Sequence, residues 1–166
     1  MGGDAGQGID PAVLGHFCWQ IKGAVDAGIE LGVVLGGGNL FRGAALSEAG
    51  MDRVVGDRMG MLATIMNALA LGDFLTREGI PNQIYTATGI PGIAPAYERD
   101  QAQVAMTQGK VLILSGGTGN PLFTTDTGPV CAGLNCVRMR CSKRPMWTGS
   151  ILRIRNKIRQ PRVFRE

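Results

Sequence analysis

The chain has 166 residues, of which 45% are apolar and 26 are glycine, and a formal net charge of +4. That length suits one hydrophobic core and is short for two domains. No stretch approaches the roughly 18 uninterrupted apolar residues of a membrane span, and Met1-Gly-Gly-Asp lacks the basic start and apolar core of a signal peptide, so a cytoplasmic location with no membrane partner is expected.

The charge is unevenly spread. Residues 128–166 hold ten of the 17 Lys and Arg but a single acid, Glu166, which leaves a net of −5 on the first 127 residues. Cys131, Cys136 and Cys141 lack the close Cys-x-x-Cys pairs of a zinc site, and Cys18 falls in a helical pattern.

Ile9-Asp10-Pro11 opens a helix: Asp10 can cap, Pro11 suits the first helical position, and Ile9 can staple onto Leu14. Leu14, Cys18, Ile21 and Val25 continue at helical spacing until Gly28 ends the element. His16 is the one histidine and reads as a surface residue. Ile29 to Leu35 is an apolar strand that runs into Gly36-Gly-Gly-Asn-Leu-Phe-Arg-Gly, and Gly43 to Arg53 reads as a loop and short helix. Val54 to Glu78 is a long apolar helix, with Val55, Met59, Leu62, Met66 and Leu69 on one stripe. Apolar residues on its other faces predict a deeply buried element. Asn82 to Thr86 reads as a second strand, Glu98 to Gln108 as a polar helix, and Lys110 to Leu114 as a third strand entering Ser115-Gly-Gly-Thr-Gly-Asn. Residues 128–166 show no dependable helix or strand period.

Strands alternating with helices predict a parallel α/β sheet, with both glycine loops at its carboxyl edge, where open sheets of this kind bind ligands. Neither loop fits the Walker phosphate loop or the Gly-x-Gly-x-x-Gly dinucleotide turn. No Ser-His-Asp set or His-rich metal cluster is present. Backbone amides, Arg42, Asp57 and the hydroxyls of Thr118, Thr124 and Thr125 remain. Those groups suit phosphoryl transfer, in which catalysis is mainly positioning and charge stabilisation. Asp57 has a plainer reading as an acid favoured near a helix N-terminus.

Gly-Gly-Gly-Asn-Leu-Phe-Arg-Gly at 36–43, Val-Val-Gly-Asp-Arg-Met-Gly-Met-Leu-Ala-Thr-Ile-Met-Asn at 54–67 and Gly-Thr-Gly-Asn-Pro-Leu-Phe-Thr-Thr-Asp-Thr at 117–127 resemble the bacterial uridylate kinases of the amino-acid kinase superfamily. The likeness covers about residues 6 to 127. It implies a three-layer α/β sandwich with a mainly parallel sheet, and transfer of the ATP γ-phosphoryl group to UMP with magnesium. It also implies a homohexamer regulated by GTP and UTP. By the same resemblance Gly37 and Asp57 contact UMP, and Gly38 and Arg42, the candidate catalytic group, lie towards the ATP phosphates. Thr118, Gly119, Asn120, Pro121, Leu122, Phe123, Thr124 and Thr125 wrap the UMP.

Two departures from the family pattern lead us to expect an incomplete fold and impaired or absent activity. The family opens with a strand ending Lys-Leu-Ser-Gly-Glu-Ala-Leu, which the present sequence does not contain. The likeness then stops at Thr127, so residues 1–127 are expected to form a partial kinase domain and 128–166 a basic, non-native tail. Cys141 to Arg155 can be encoded by codons that, read one frame over, give Phe-Lys-Ala-Thr-Asn-Val-Asp-Gly-Ile-Tyr-Ser-Ala-Asp-Pro, which matches the family's nucleotide-binding segment. The tail is therefore expected to be out of frame rather than a nucleic-acid arm. The alternative is a non-catalytic nucleotide- or nucleic-acid-binding module whose basic tail is functional. Another amino-acid kinase, acting on a carboxylate or carbamate, fits the 117–127 loop less well.

Overall fold

A computed structural model describes residues 7–41, 50–119, 139–142 and 149–154. Helix α1, Pro11–Asp26, starts as its sequence predicts: the Asp10 carboxylate accepts a hydrogen bond from the Ala12 amide at 2.8 Å. Leu14, Cys18 and Ile21 are its buried residues, and Ile9 packs against the cluster that contains Leu14. Past Gly28, strand β1 runs from Glu30 to Leu35 and is buried from Leu31 onwards. The long helix α2, Arg53–Arg77, is capped by Asp52, which accepts from the Val55 amide at 3.1 Å. Strand β2, Asn82–Thr86, helix α3, Arg99–Thr107, and strand β3, Val111–Ser115, follow within one residue of expectation.

The expectation that α2 is deeply buried holds for only one of its faces. Val55, Met59, Leu62, Met66 and Leu69 are exposed, with Leu62 and Met66 each at 54%. The opposite face, with Ala63, Thr64, Ile65, Asn67, Ala68, Leu71 and Leu75, packs inward. By length and a mean hydropathy of 1.4 this helix is apolar enough to cross a membrane. That hydropathy is divided here between a face packed on the sheet and a second face turned outward.

Strands β1, β2 and β3 are parallel and lie in the order β2-β3-β1, with Val34 opposite Leu114 and Tyr85 also opposite Leu114. Alternate residues of these strands feed two cores. Leu31, Val33, Leu35, Val111 and Ile113 meet α1 and α2 on one face of the sheet. Val34, Tyr85, Leu112 and Leu114 meet Ala102, Ala105 and Met106 of α3 on the other. The result is the expected helix–sheet–helix sandwich.

The tail departs from expectation. Strand β4, Met139–Ser142, and strand β5, Gly149–Ile154, extend the sheet to the order β2-β3-β1-β5-β4. Strand β5 pairs antiparallel with the whole of β1, from Glu30 opposite Ile154 to Leu35 opposite Gly149. The sheet is therefore mixed, and β1 is an interior strand with a backbone partner on each side. An unpaired edge on so apolar a strand would leave a row of amide and carbonyl groups unsatisfied, and β5 supplies their partners.

Candidate functional site

Because β1 and β3 are neighbours in parallel register, Gly36 and Gly116, each two residues past the Val34–Leu114 pair, leave the sheet side by side. In the first loop the Gly37 carbonyl accepts from the amides of Leu40 and Phe41, both at 3.0 Å. Gly37 is buried against α2. A Cβ there would lie 2.7 Å from the Gly60 carbonyl oxygen and 2.8 Å from the Ala63 Cβ, closer than such atoms approach. Glycine at this position is thus a packing requirement. Gly38, next in the chain, is exposed and has open space around its Cα.

The second loop turns through left-handed backbone at Gly116, Gly117 and Gly119, with φ of +78°, +60° and +79°. The Gly119 amide closes the turn onto the Gly116 carbonyl at 3.2 Å. The chain leaving β2 forms a third wall: the Ala87 amide donates to the Ser115 carbonyl at 3.1 Å, and the Thr86 hydroxyl donates to the Thr88 carbonyl at 2.8 Å. Three strand ends therefore converge on one edge of the sheet. Glycine-rich turns at the carboxyl edge of a parallel sheet are an arrangement that receives anions.

Of the residues singled out from sequence, Gly37, Gly38, Thr118 and Gly119 lie on these two loops. Asp57 stands one helical turn before Gly60, whose carbonyl faces Gly37, and accepts from the Arg53 guanidinium at 3.1 Å. Arg42, Asn120, Pro121, Leu122, Phe123, Thr124 and Thr125 lie outside the described residues. His16 is on the surface, as expected, stacked on Trp19 and hydrogen-bonded to Gln20 at 2.9 Å. On β2, burial and then the carboxylate of Glu98 push the Tyr85 hydroxyl above its ordinary range.

Sequence reasoning missed the polar residues that tie the loops to α2. Asn67, fully buried, donates through Nδ2 to the Gly36 carbonyl at 2.7 Å and to Asn39 Oδ1 at 2.6 Å. Asn39 returns a bond to Asn67 Oδ1 at 3.1 Å and donates to the Gly8 carbonyl at 2.7 Å. Thr64 Oγ1 accepts from the Gly116 amide at 2.8 Å and donates to the Met61 carbonyl at 2.7 Å. The available signal was a pair of polar side chains three residues apart on a helix face otherwise made of Ala63, Ile65, Ala68 and Leu71. It was obscured because the opposite stripe reads as the apolar one.

Among the described residues no group of three or more His, Cys, Asp or Glu side chains is placed to hold a metal ion.

Residues 2–133 match the model of the amino acid kinase family. The uridylate kinase of Saccharophagus degradans is 51% identical over 132 residues, which are 80% of this chain and 53% of that protein. The crystal structure of UMP kinase from Ureaplasma parvum superposes with a TM-score of 0.69 at 33% identity, covering 76% of this chain and 54% of that one. For UMP kinase from Bacillus anthracis the TM-score is 0.77 at 31% identity, covering 87% of this chain and 64% of that one. The chain spans about half the length of the uridylate kinases it matches. On a match that runs through both glycine loops and the helix between them, this chain belongs to the amino acid kinase family.

Proposed function

We propose that this chain is part of a nucleoside monophosphate kinase that transfers the γ-phosphoryl group of ATP to UMP. A UMP phosphate oxygen attacks the γ-phosphorus, the bond to the β–γ bridging oxygen breaks, and UDP and ADP leave. The observation that carries the reading is the pair of glycine loops that leave β1 and β3 side by side, in a chain 51% identical to a uridylate kinase across both. In this reading Gly37 and Asp57 face UMP, and Thr118 to Thr125 close around it. Gly38 and Arg42 lie towards the ATP phosphates, with Arg42 countering charge on the transferring group. Magnesium carried on the ATP phosphates would supply charge neutralisation there. A cytoplasmic location, where both nucleotides are found, goes with this reading, as does regulation by GTP and UTP.

The same proposal takes the assembled form to be a homohexamer. It is supported by the exposed stripe of Val55, Met59, Leu62, Met66 and Leu69, whose alternating spacings of four and three suit self-pairing of helices. It also takes activity to be weak or absent in this chain, since only 53% of the related enzyme's length is matched. Residues 128–166 are read as an out-of-frame tail. Support comes from the family match ending at residue 133 and from the abrupt basic shift. A one-base deletion in the coding DNA near the Thr127 and Gly128 codons would check that part.

The functional reading is tested on the purified 166-residue chain by thermal shift and calorimetry with UMP, using AMP and N-acetylglutamate as controls. UMP alone is expected to raise the melting temperature, because a ligand that binds the folded state stabilises it by mass action. No response to millimolar UMP, or equal responses to the controls, would sink the reading. Brisk magnesium-dependent UDP formation would overturn the expectation of weak activity.

A further inference from the structure

Thr64 and Asn67 stand one turn apart on the buried face of α2, at 1% and 0% exposure. Each bonds to the first residue past a different strand. Asn67 Nδ2 takes the Gly36 carbonyl at the end of β1, and Thr64 Oγ1 takes the Gly116 amide at the end of β3. Both side chains have their donors engaged. The Thr64 proton goes to the Met61 carbonyl, which leaves a lone pair for the Gly116 amide, and the Asn67 amide protons go to Gly36 and Asn39.

Anchoring α2 to the sheet does not require these groups, because Ala68, Leu71 and Leu75 already pack against β1 and β3 in one apolar cluster. Nor is pairing of the strands at issue, since β1 and β3 are registered directly through Val34 and Leu114. Two buried polar side chains on such a face carry a desolvation cost that apolar residues would avoid, and their bonds are directional where apolar packing is not. What they fix is the setting of the two loops relative to each other.

We propose that Thr64 and Asn67 are positioning residues: one turn of α2 clamps both glycine loops at a set separation, so that nucleotide affinity depends on side chains that never touch the nucleotide. The proposal rests on the functional reading above for its ligand, while the clamp itself is observable without one.

The test uses the full chain with Thr64→Val, which keeps the shape and removes the hydroxyl, and Thr64→Ser, which restores it. In the ligand-free protein, Thr64→Val is expected to speed hydrogen exchange of the Gly116 amide by about tenfold and to shift its proton resonance. Amides of β3 should be unaffected, and Thr64→Ser should return Gly116 to the parent values. With UMP, Thr64→Val is expected to weaken binding by about tenfold, and Thr64→Ser to recover most of it. An unchanged Gly116 amide in Thr64→Val would overturn the clamp, and a changed amide with undiminished UMP affinity would overturn its positioning role. If the parent chain does not respond to UMP, the functional reading fails, and the clamp is still decided by Gly116.

Discussion

Cys18 packs with Leu14 and Ile21 beneath β1, at 2% exposure. Burial, and after it the carboxylate of Glu78, pushes its thiol above the ordinary value of 9.0. As pH rises through 9.0 the unfolded chain releases this proton while the folded chain retains it. Stability is therefore full below 9.0 and declines as pH climbs towards the raised folded value. Melting temperatures of parent and Cys18→Ala, compared from pH 9.0 to about 11, should fall more steeply in the parent. Parallel curves would refute this account. Single residues differ in how far their sequence surroundings explain them. The Asp10 cap is legible because it bonds an amide two positions away. Gly37 is recognisable as part of a loop, but its need to be glycine is not, because the atoms that exclude a Cβ belong to Gly60 and Ala63.

The element with two apolar faces is α2. Its outward stripe follows the alternating four and three spacing over 15 positions, from Val55 to Leu69, with Leu62 and Met66 at its centre. In the proposed homohexamer such a seam would bury itself against the identical seam of a second copy of the chain. Placing carboxylates at its centre, with Leu62→Glu and Met66→Glu together, should reduce the mass measured by light scattering to that of one chain. Near-unchanged far-ultraviolet circular dichroism should accompany the loss, because both positions are exposed within the chain. A parent that is already a single chain at micromolar concentration would refute the seam. Helix content here was readable from period and caps, whereas the inward face was not. Val, Met and Leu on one side compete with Ala, Ile and Leu on the other, and local hydropathy gives no means of ranking them.

Across the whole molecule, the sheet depends on an edge assignment made by the most distant part of the chain. Strand β5 lies between β1 and β4, so each of its amides donates towards one neighbour or the other. Leu152→Pro removes one such donor and places a ring within the ladder. Hydrogen exchange should then show lost protection in β1 around Gly32, the residue opposite Leu152, with β2 and β3 amides largely retained. Unaltered protection at Gly32 would count against β5 as the partner of β1. A run such as Gly-Ser-Ile-Leu-Arg-Ile has modest strand propensity and gains its role from an available edge about 120 residues earlier in the chain.

By itself the sequence determined where helices and strands α1 to β3 begin and end, and which two strands run into glycine loops. Caps, turn glycines and apolar periods act within a few residues, so they are written locally. The tertiary structure alone decided which side of α2 faces the sheet, what pairs with the free side of β1, and how one turn of a helix reaches both loops. Those outcomes rest on contacts such as Asn67 to Gly36, 31 positions apart, and Thr64 to Gly116, 52 positions apart. Pairings at that separation are set by the packing of the whole sheet, which local spacing does not encode.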